Sequence, residues 1–174
     1  MRYALVGLGA VAAAVLLVVA TGAMLPVRHR ASRQARFNRP PADLFTLINT
    51  PADFPAWRSG VTTVDLLPNA NGRSRYRESG KNGSILYEVE RSTPDRELVT
   101  RIADPSLPFG GTWTFTLTPS DAGTTLAITE DGEVYNPLFR FVSRFMMGYD
   151  SSIDTYLRDI ARRVGQADIA ITNA

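Results

Sequence analysis

Polar side chains capable of acid–base chemistry recur among apolar ones from residue 76 onward. Tyr76 and Glu78 share one face of a short segment, because the arginines on either side of Tyr76 are expected to point to water. In two later segments, Tyr87 and Glu130 alternate in step with apolar residues and so lie on the same face as these residues. Tyr149 lies on the apolar stripe of a predicted helix. A carboxyl group held among such side chains would have a raised pKa and could act as a general acid or base.

Two interpretations of these five residues are open. In the first, they are the polar groups of an otherwise apolar ligand pocket. In the second, Glu78 and Glu130 lie at strand ends, in water or paired with an arginine, and the tyrosines are ordinary core rings. The second is the simpler interpretation of the two carboxylates, whereas at least one tyrosine is expected to line a cavity.

The composition excludes several other kinds of site. The chain has no cysteine and one histidine, His29. Disulfides, thiolate chemistry and a metal site built from histidine and cysteine are therefore excluded. We expect no metal and no cofactor, and we interpret His29 as a residue of the neck that follows the N-terminal apolar segment.

That segment, residues 3–25, contains neither charge nor proline. Roughly 20 such residues are enough to cross a bilayer as a helix. The sequence predicts a single-pass membrane anchor over residues 1–26, followed by one soluble domain over 27–165. A cleaved signal peptide is the alternative, but the apolar part of signal peptides is shorter, at roughly 7–15 residues.

Charge predicts how the domain would lie relative to the membrane. Five arginines follow the apolar segment before the first acid, Asp43, so the positive-inside rule places the domain in the cytoplasm. Arg28, Arg30 and Arg33 are expected to meet anionic lipid headgroups. Beyond residue 39 the chain has 13 bases and 17 acids, so the pI of 9.2 comes from the N-terminal part and no nucleic-acid partner is expected.

Periodicity predicts the elements of the domain. A strand at 31–37 is followed by short helices at 42–49 and 51–57, and then by strands near 61–67, 73–79, 84–92, 97–103, 111–119 and 124–134. Short connections between these seven strands indicate one antiparallel meander. Trp113, Phe115 and Leu117 alternate with threonines, so one face of the sheet is apolar and needs a cover.

A helix from 136 to 165 is predicted to supply that cover. Its stripe includes Val142, Phe145 or Met146, Tyr149 and Ile153 at spacings of three or four. The first half is apolar nearly all round, which also suits contact with lipid or a bend at Gly148. Residues 166–174 are predicted to be a flexible tail.

These elements, in this order, resemble the helix-grip fold of the SRPBCC superfamily. That group contains START domains, pollen-allergen (Bet v 1-like) proteins and polyketide cyclase/dehydrase-like proteins, and the chain is most similar to the last of these. The stretches that carry the resemblance are 37–45 (FNRPPADLF), 54–57 (FPAW), 111–119 (GTWTFTLTP) and 123–129 (GTTLAIT), within a match over 27–164. The resemblance implies an α+β fold, with a seven-stranded curved sheet wrapped on a long C-terminal helix and an apolar cavity between them. Strand parity and helical spacing then predict the lining residues: Tyr76, Glu78, Tyr87, Trp113, Phe115, Leu117, Leu126, Ile128, Glu130, Val142, Phe145, Met146, Tyr149 and Ile153.

Three functions are compatible with such a domain. The leading hypothesis is a membrane-anchored protein that binds an apolar small molecule or lipid. The second is an enzyme of the cyclase, dehydratase or hydrolase type that uses polar cavity residues, and the third is a structural or interaction domain without a ligand. Convergent polar groups deep in the pocket would favour the enzyme, and a wholly apolar lining would favour the binder.

Overall fold

The computed structural model describes residues 2–81, 83–166 and 168–174, without the side chains of 2–6, 8–11 and 147. The helices are α1 (Arg2–Met24), α2 (Pro41–Ile48), a 3₁₀ helix (Pro51–Ala56), α3 (Pro137–Val142), a π-helical turn (Ser143–Met147) and α4 (Ser151–Arg163). The strands are β1 (Arg28–Phe37), β2 (Thr63–Ala70), β3 (Arg73–Gly80), β4 (Gly83–Thr93), β5 (Glu97–Ile102), β6 (Phe109–Ser120), β7 (Gly123–Val134) and β8 (Ile171–Asn173).

All eight strands form one antiparallel sheet in the order β2-β3-β4-β5-β6-β7-β1-β8. The predicted meander is confirmed, but the predicted number of seven strands is wrong. The eighth strand lies in the segment predicted to be a flexible tail. It pairs with β1 in the register Gln34↔Thr172, and the side chain of Gln34 donates to the Asn173 carbonyl at 3.1 Å.

The core lies between the inner face of the sheet and the helices α2 and α4. Inward residues alternate along the strands as predicted, with Phe115 on β6 and Leu126 and Ile128 on β7 buried. Ile153 and Leu157 project from α4 into the same core. The α4 helix lies against β1, and its Tyr156 packs on Trp113 and Phe115 of β6.

The predicted C-terminal helix is confirmed by α4, but it is not one continuous helix over 136–165, because the helix is interrupted between 142 and 151. Asn136 caps α3 as expected, accepting a hydrogen bond from the Leu138 N–H. The α3 helix then passes into the π-helical turn, and Gly148 has a φ of +73°, a left-handed conformation that ends the helix. The break removes Phe145 and Met146 from the apolar stripe, and they are 59% and 76% exposed.

The α1 helix packs against α3 at its C-terminal end. Gly22 lies so close to Pro137 that a Cβ there would overlap the Pro137 carbonyl oxygen. Arg140 on α3 donates to the carbonyls of Leu25 (2.7 Å) and Ala23 (3.4 Å), which lie at the end of α1. The end of α1 is therefore fixed to the domain.

The predicted membrane span, residues 3–25, falls partly on residues whose side chains the structure does not describe. In the described part of the chain, no helix combines the length and the apolar character needed to cross a membrane. The predicted neck is also different, since β1 begins at Arg28. Arg28 pairs with Glu133, and Arg30 pairs with Asp131.

Candidate functional site

A cavity of about 160 Å³ lies between the inner face of β3 to β6 and the helices that cover it. One end is polar, with a guanidinium, a carboxylate and three tyrosines, and the walls are mainly apolar. The sheet contributes Tyr76, Glu78, Tyr87, Leu98, Thr100, Trp113 and Phe115; the remaining lining residues are Ile48, Phe54, Arg58, Ser152 and Tyr156.

The polar end is built around the ion pair between Arg58 and Glu78. The Nη1 group of Arg58 donates to Oε1 of Glu78. The two side chains are only 19% and 9% exposed, so the pair is largely removed from water. The guanidinium also lies over the rings of Tyr156 and Phe54, with its carbon 4.6 and 5.0 Å from their centroids. These contacts hold a cation and an anion side by side at the cavity wall.

A second carboxylate fixes the turn that carries Arg58. Asp159 of α4 is buried and accepts hydrogen bonds from the Ser59 backbone N–H (2.8 Å) and hydroxyl (3.0 Å). Arg162 donates to the other oxygen of the same carboxylate. Asp159 is therefore buried and paired rather than part of a solvated charged face. Its hydrogen bonds tie the segment after the 3₁₀ helix to α4 and so position Arg58.

Three tyrosines complete the polar end. The rings of Tyr76 and Tyr87 are stacked at 5.4 Å, and Tyr156 packs between Trp57, Trp113 and Phe115. Burial raises the pKa of all three phenols above their ordinary value, and the charge of Glu78 adds to the effect. The phenols are therefore neutral at physiological pH and can donate hydrogen bonds.

Burial also raises the pKa of Glu78, although the charge and hydrogen bond of Arg58 oppose the rise. Desolvation disfavours the charged form of a carboxyl group, which makes the ionised Glu78 a stronger base than a carboxylate in water. Both sequence interpretations of Glu78 are partly right, because it faces the cavity and is also paired with an arginine.

Glu130 belongs to a separate cluster. Its Oε1 lies 3.6 Å from Nε2 of His29, whose ring stacks on Tyr149 with centroids 3.9 Å apart. Gly132 makes room for this arrangement, since a Cβ there would overlap the imidazole. His29 is thus part of the domain rather than a residue of a neck.

The structure brings only some of the predicted lining residues together. Tyr76, Glu78, Tyr87, Trp113 and Phe115 line the cavity. Other predicted residues lie in the packed core, namely Leu117, Leu126, Ile128 and Ile153. Those that lie elsewhere are Val142, which is half-buried on α3, the exposed Phe145 and Met146, and Glu130 and Tyr149 beside His29.

Arg58 is the main residue of the candidate site that the sequence did not predict. No pattern singles it out, because it lies in an irregular segment between the 3₁₀ helix and β2. Tyr156 lies three residues after Ile153, so the spacing of the predicted helical stripe could have identified it. Within the described residues, no group of three or more histidine, cysteine or acidic side chains is placed to hold a metal ion.

Residues 28–165 match the family model described as polyketide cyclase/dehydrase and lipid transport. The chain belongs to this family. No curated protein matches it significantly. The family's sequence match begins at β1 and ends just after α4, so it includes every residue that lines the cavity.

Solved structures share the fold at low sequence identity. A START superfamily protein from Mycobacterium smegmatis is 16% identical with a TM-score of 0.64, and the match covers 80% of this chain and 99% of that one. A protein from Mesorhizobium loti is 19% identical with a TM-score of 0.60, again over 80% and 99%. The di-domain ARO/CYC StfQ from the steffimycin biosynthetic pathway is 14% identical with a TM-score of 0.62, over 80% of this chain and 53% of that one. At these identities the likeness establishes the fold and not the ligand.

Proposed function

We propose that this domain binds a small molecule that has an apolar ring and a neutral oxygen group, with the oxygen at Arg58. The observation that carries the proposal is the cavity itself, which combines aromatic walls with hydrogen-bond donors at one end. Its volume of about 160 Å³ is similar to that of a ~150 Å³ apolar cavity known to hold a benzene ring. The space therefore suits one ring rather than a long lipid chain.

The electrostatics of the polar end favour a neutral oxygen over a carboxylate. Arg58 uses Nη1 on Glu78, and a guanidinium has further N–H donors for a carbonyl or hydroxyl oxygen. A ligand carboxylate would bring a second negative charge beside Glu78 in a poorly solvated site, which is unfavourable. A ketone or a phenol meets no such repulsion.

Acetophenone and benzoate are matched probes for this proposal, since both have one ring and differ in charge. Titration calorimetry of the full chain in detergent should show that acetophenone binds more tightly than benzoate. Ser152→Phe places a ring at the cavity mouth and should abolish binding, whereas Ser151→Phe, at the neighbouring exposed position outside the lining, should not. Equal binding by both variants would contradict the cavity as the site, and no binding by the wild type would favour a structural domain.

A second function is favoured by one observation, the convergence of Glu78, Arg58 and the tyrosine hydroxyls. In this alternative, ionised Glu78 removes a proton from the carbon next to a ketone. The electron pair of the C–H bond forms a carbon–carbon double bond while the π pair of the carbonyl moves onto its oxygen, giving an enolate that N–H and O–H donors stabilise. The proton then returns from Glu78 to the carbon.

Acetophenone in D₂O separates the two functions. When the proton on Glu78 exchanges with D₂O before the return step, the carbon receives deuterium, so repeated cycles replace the methyl hydrogens. Proton NMR would show loss of the methyl signal with the wild type and not with Glu78→Gln, if acid–base chemistry occurs. Binding of acetophenone without exchange of its methyl hydrogens would support a binding protein rather than an enzyme. Exchange at the same rate with both proteins would exclude Glu78 as the base.

Membrane attachment is a further part of the proposal and is supported by the sequence, in which residues 3–25 carry no charge. Attachment would keep the domain where apolar ligands accumulate, on the cytoplasmic side if the arginine excess sets orientation. Membrane fractionation tests attachment, and protease added to spheroplasts tests the side. Release of the full chain by high salt alone would contradict an anchor.

A further inference from the structure

We propose that the segment 136–147, formed by α3 and the π-helical turn, lies in the headgroup region of an anionic lipid surface beside α1. This inference rests on the proposed membrane attachment and deepens it. It assigns a lipid-contacting role to the folded domain itself, independently of what the cavity binds.

The first observation is exposure of apolar side chains on this segment. Large apolar side chains of this segment are 44–76% exposed, namely those of Leu138, Phe139, Phe145 and Met146. They are contributed by two successive short helical turns that the break at Gly148 separates from α4. Large apolar side chains clustered in this way on a surface indicate an interaction site.

The second observation is that this patch adjoins a longer apolar surface. The α1 helix packs against α3, with Gly22 against Pro137, and Arg140 binds the carbonyls at the end of α1. Leu16, Leu17 and Met24 of α1 are themselves exposed. A lipid surface covers the exposed apolar side chains of segment 136–147 and of α1 at once. A small protein partner bound to α3 would leave the apolar side chains of α1 in water.

The third observation is the charge of the segment. Between Tyr135 and Tyr149 the sequence has two bases, Arg140 and Arg144, and no acid. Arg140 is bound to the carbonyls at the end of α1, whereas Arg144 is exposed. A helical segment with arginines among aromatic and aliphatic side chains is typical of a peptide that lies in the membrane interface, where the cations meet anionic headgroups. The π-helical turn and Gly148 allow this segment to lie at its own angle to α4.

The absence of cysteine from the sequence allows single-cysteine labelling of the full chain. Phe145→Cys and Met146→Cys would be labelled with the fluorophore NBD and incorporated into vesicles of phosphatidylcholine with 30% phosphatidylglycerol. Met24→Cys reports on α1, and Leu66→Cys, an apolar position on β2 that is 65% exposed, is the matched control. Each site is exposed, so labelling does not disturb the core.

We expect NBD at positions 145 and 146 to show blue-shifted emission and strong quenching by spin-labelled lipid, and NBD at Leu66→Cys to show neither. Quenching at position 24 but not at 145 or 146 would overturn this inference and leave membrane attachment standing. Absence of quenching at positions 24, 145 and 146 would overturn both this inference and the proposed membrane attachment. Protection of 145 and 146 without lipid quenching, together with energy transfer between differently labelled copies, would show that a second copy covers the patch and would also overturn the proposal. Acetophenone binding measured on the same variants tests the cavity separately.

Discussion

Replacing Arg58 by methionine tests whether the buried ion pair has the energetic role that its geometry indicates. The substitution keeps an unbranched side chain of similar length but removes the charge beside Glu78, whose side chain is 9% exposed. Breaking a buried pair by removing one partner typically costs about 3–5 kcal/mol. Loss of the contacts with Tyr156 and Phe54 adds roughly 0.5–2 kcal/mol. We therefore expect Arg58→Met to lower the free energy of unfolding by about 3.5–7 kcal/mol at pH 7.

The double variant Arg58→Met/Glu78→Leu supplies the decisive comparison. Replacing both members of a buried pair by apolar side chains is often neutral or stabilising. The double variant should therefore be more stable than Arg58→Met alone by at least about 2 kcal/mol. Urea unfolding of the wild type, Arg58→Met, Glu78→Leu and the double variant in detergent, followed by tryptophan fluorescence and circular dichroism, measures the cost of each substitution. If the costs of the two single substitutions simply add in the double variant, the pair is not energetically coupled and the reasoning is wrong.

Three further predictions follow from individual contacts. Because burial raises the folded-state pKa of Glu78 above its ordinary 4.5, the stability it contributes is present below pH 4.5 and is lost as the pH rises through the folded pKa. Between pH 4 and 8 the wild type should therefore lose stability relative to Glu78→Gln, as measured by thermal melts. A stability difference between the two proteins that stays constant with pH, or that grows in favour of the wild type, would contradict the raised pKa of Glu78. Asp159→Ala leaves the Ser59 N–H and hydroxyl without their acceptor and should cost about 1–3 kcal/mol in urea unfolding, whereas an unchanged midpoint would mean that water replaces the carboxylate. Gly132→Ala should destabilise the protein by about 1–3 kcal/mol because the new Cβ overlaps the His29 ring. Adding His29→Ala to Gly132→Ala should remove most of that cost. If the cost is unchanged in this double variant, the Cβ clashes with another group.

Much of the fold could be predicted from the sequence because its signals are local. Alternation of apolar and threonine residues along 111–119 requires a strand with one buried face, and the predicted inward side of Phe115 is confirmed. Short turns such as the one at Gly123 require antiparallel neighbours, which fixes most of the strand order. The same parity placed Tyr76, Glu78 and Tyr87 on the inner face.

The tertiary structure decided what depends on distant partners. The β8 strand exists because residues 171–173 meet the free edge of β1, and nothing local in that tail indicates pairing. The break at Gly148 turns Phe145 and Met146 outward, although the apolar spacing continues through it. The candidate site has the same origin: Arg58 reaches Glu78, 20 residues further along the chain, in a fold in which Asp159 of α4 holds the neighbouring Ser59. Local sequence patterns report which face of a strand or helix avoids water, but which charges share one buried space is determined only when the elements pack.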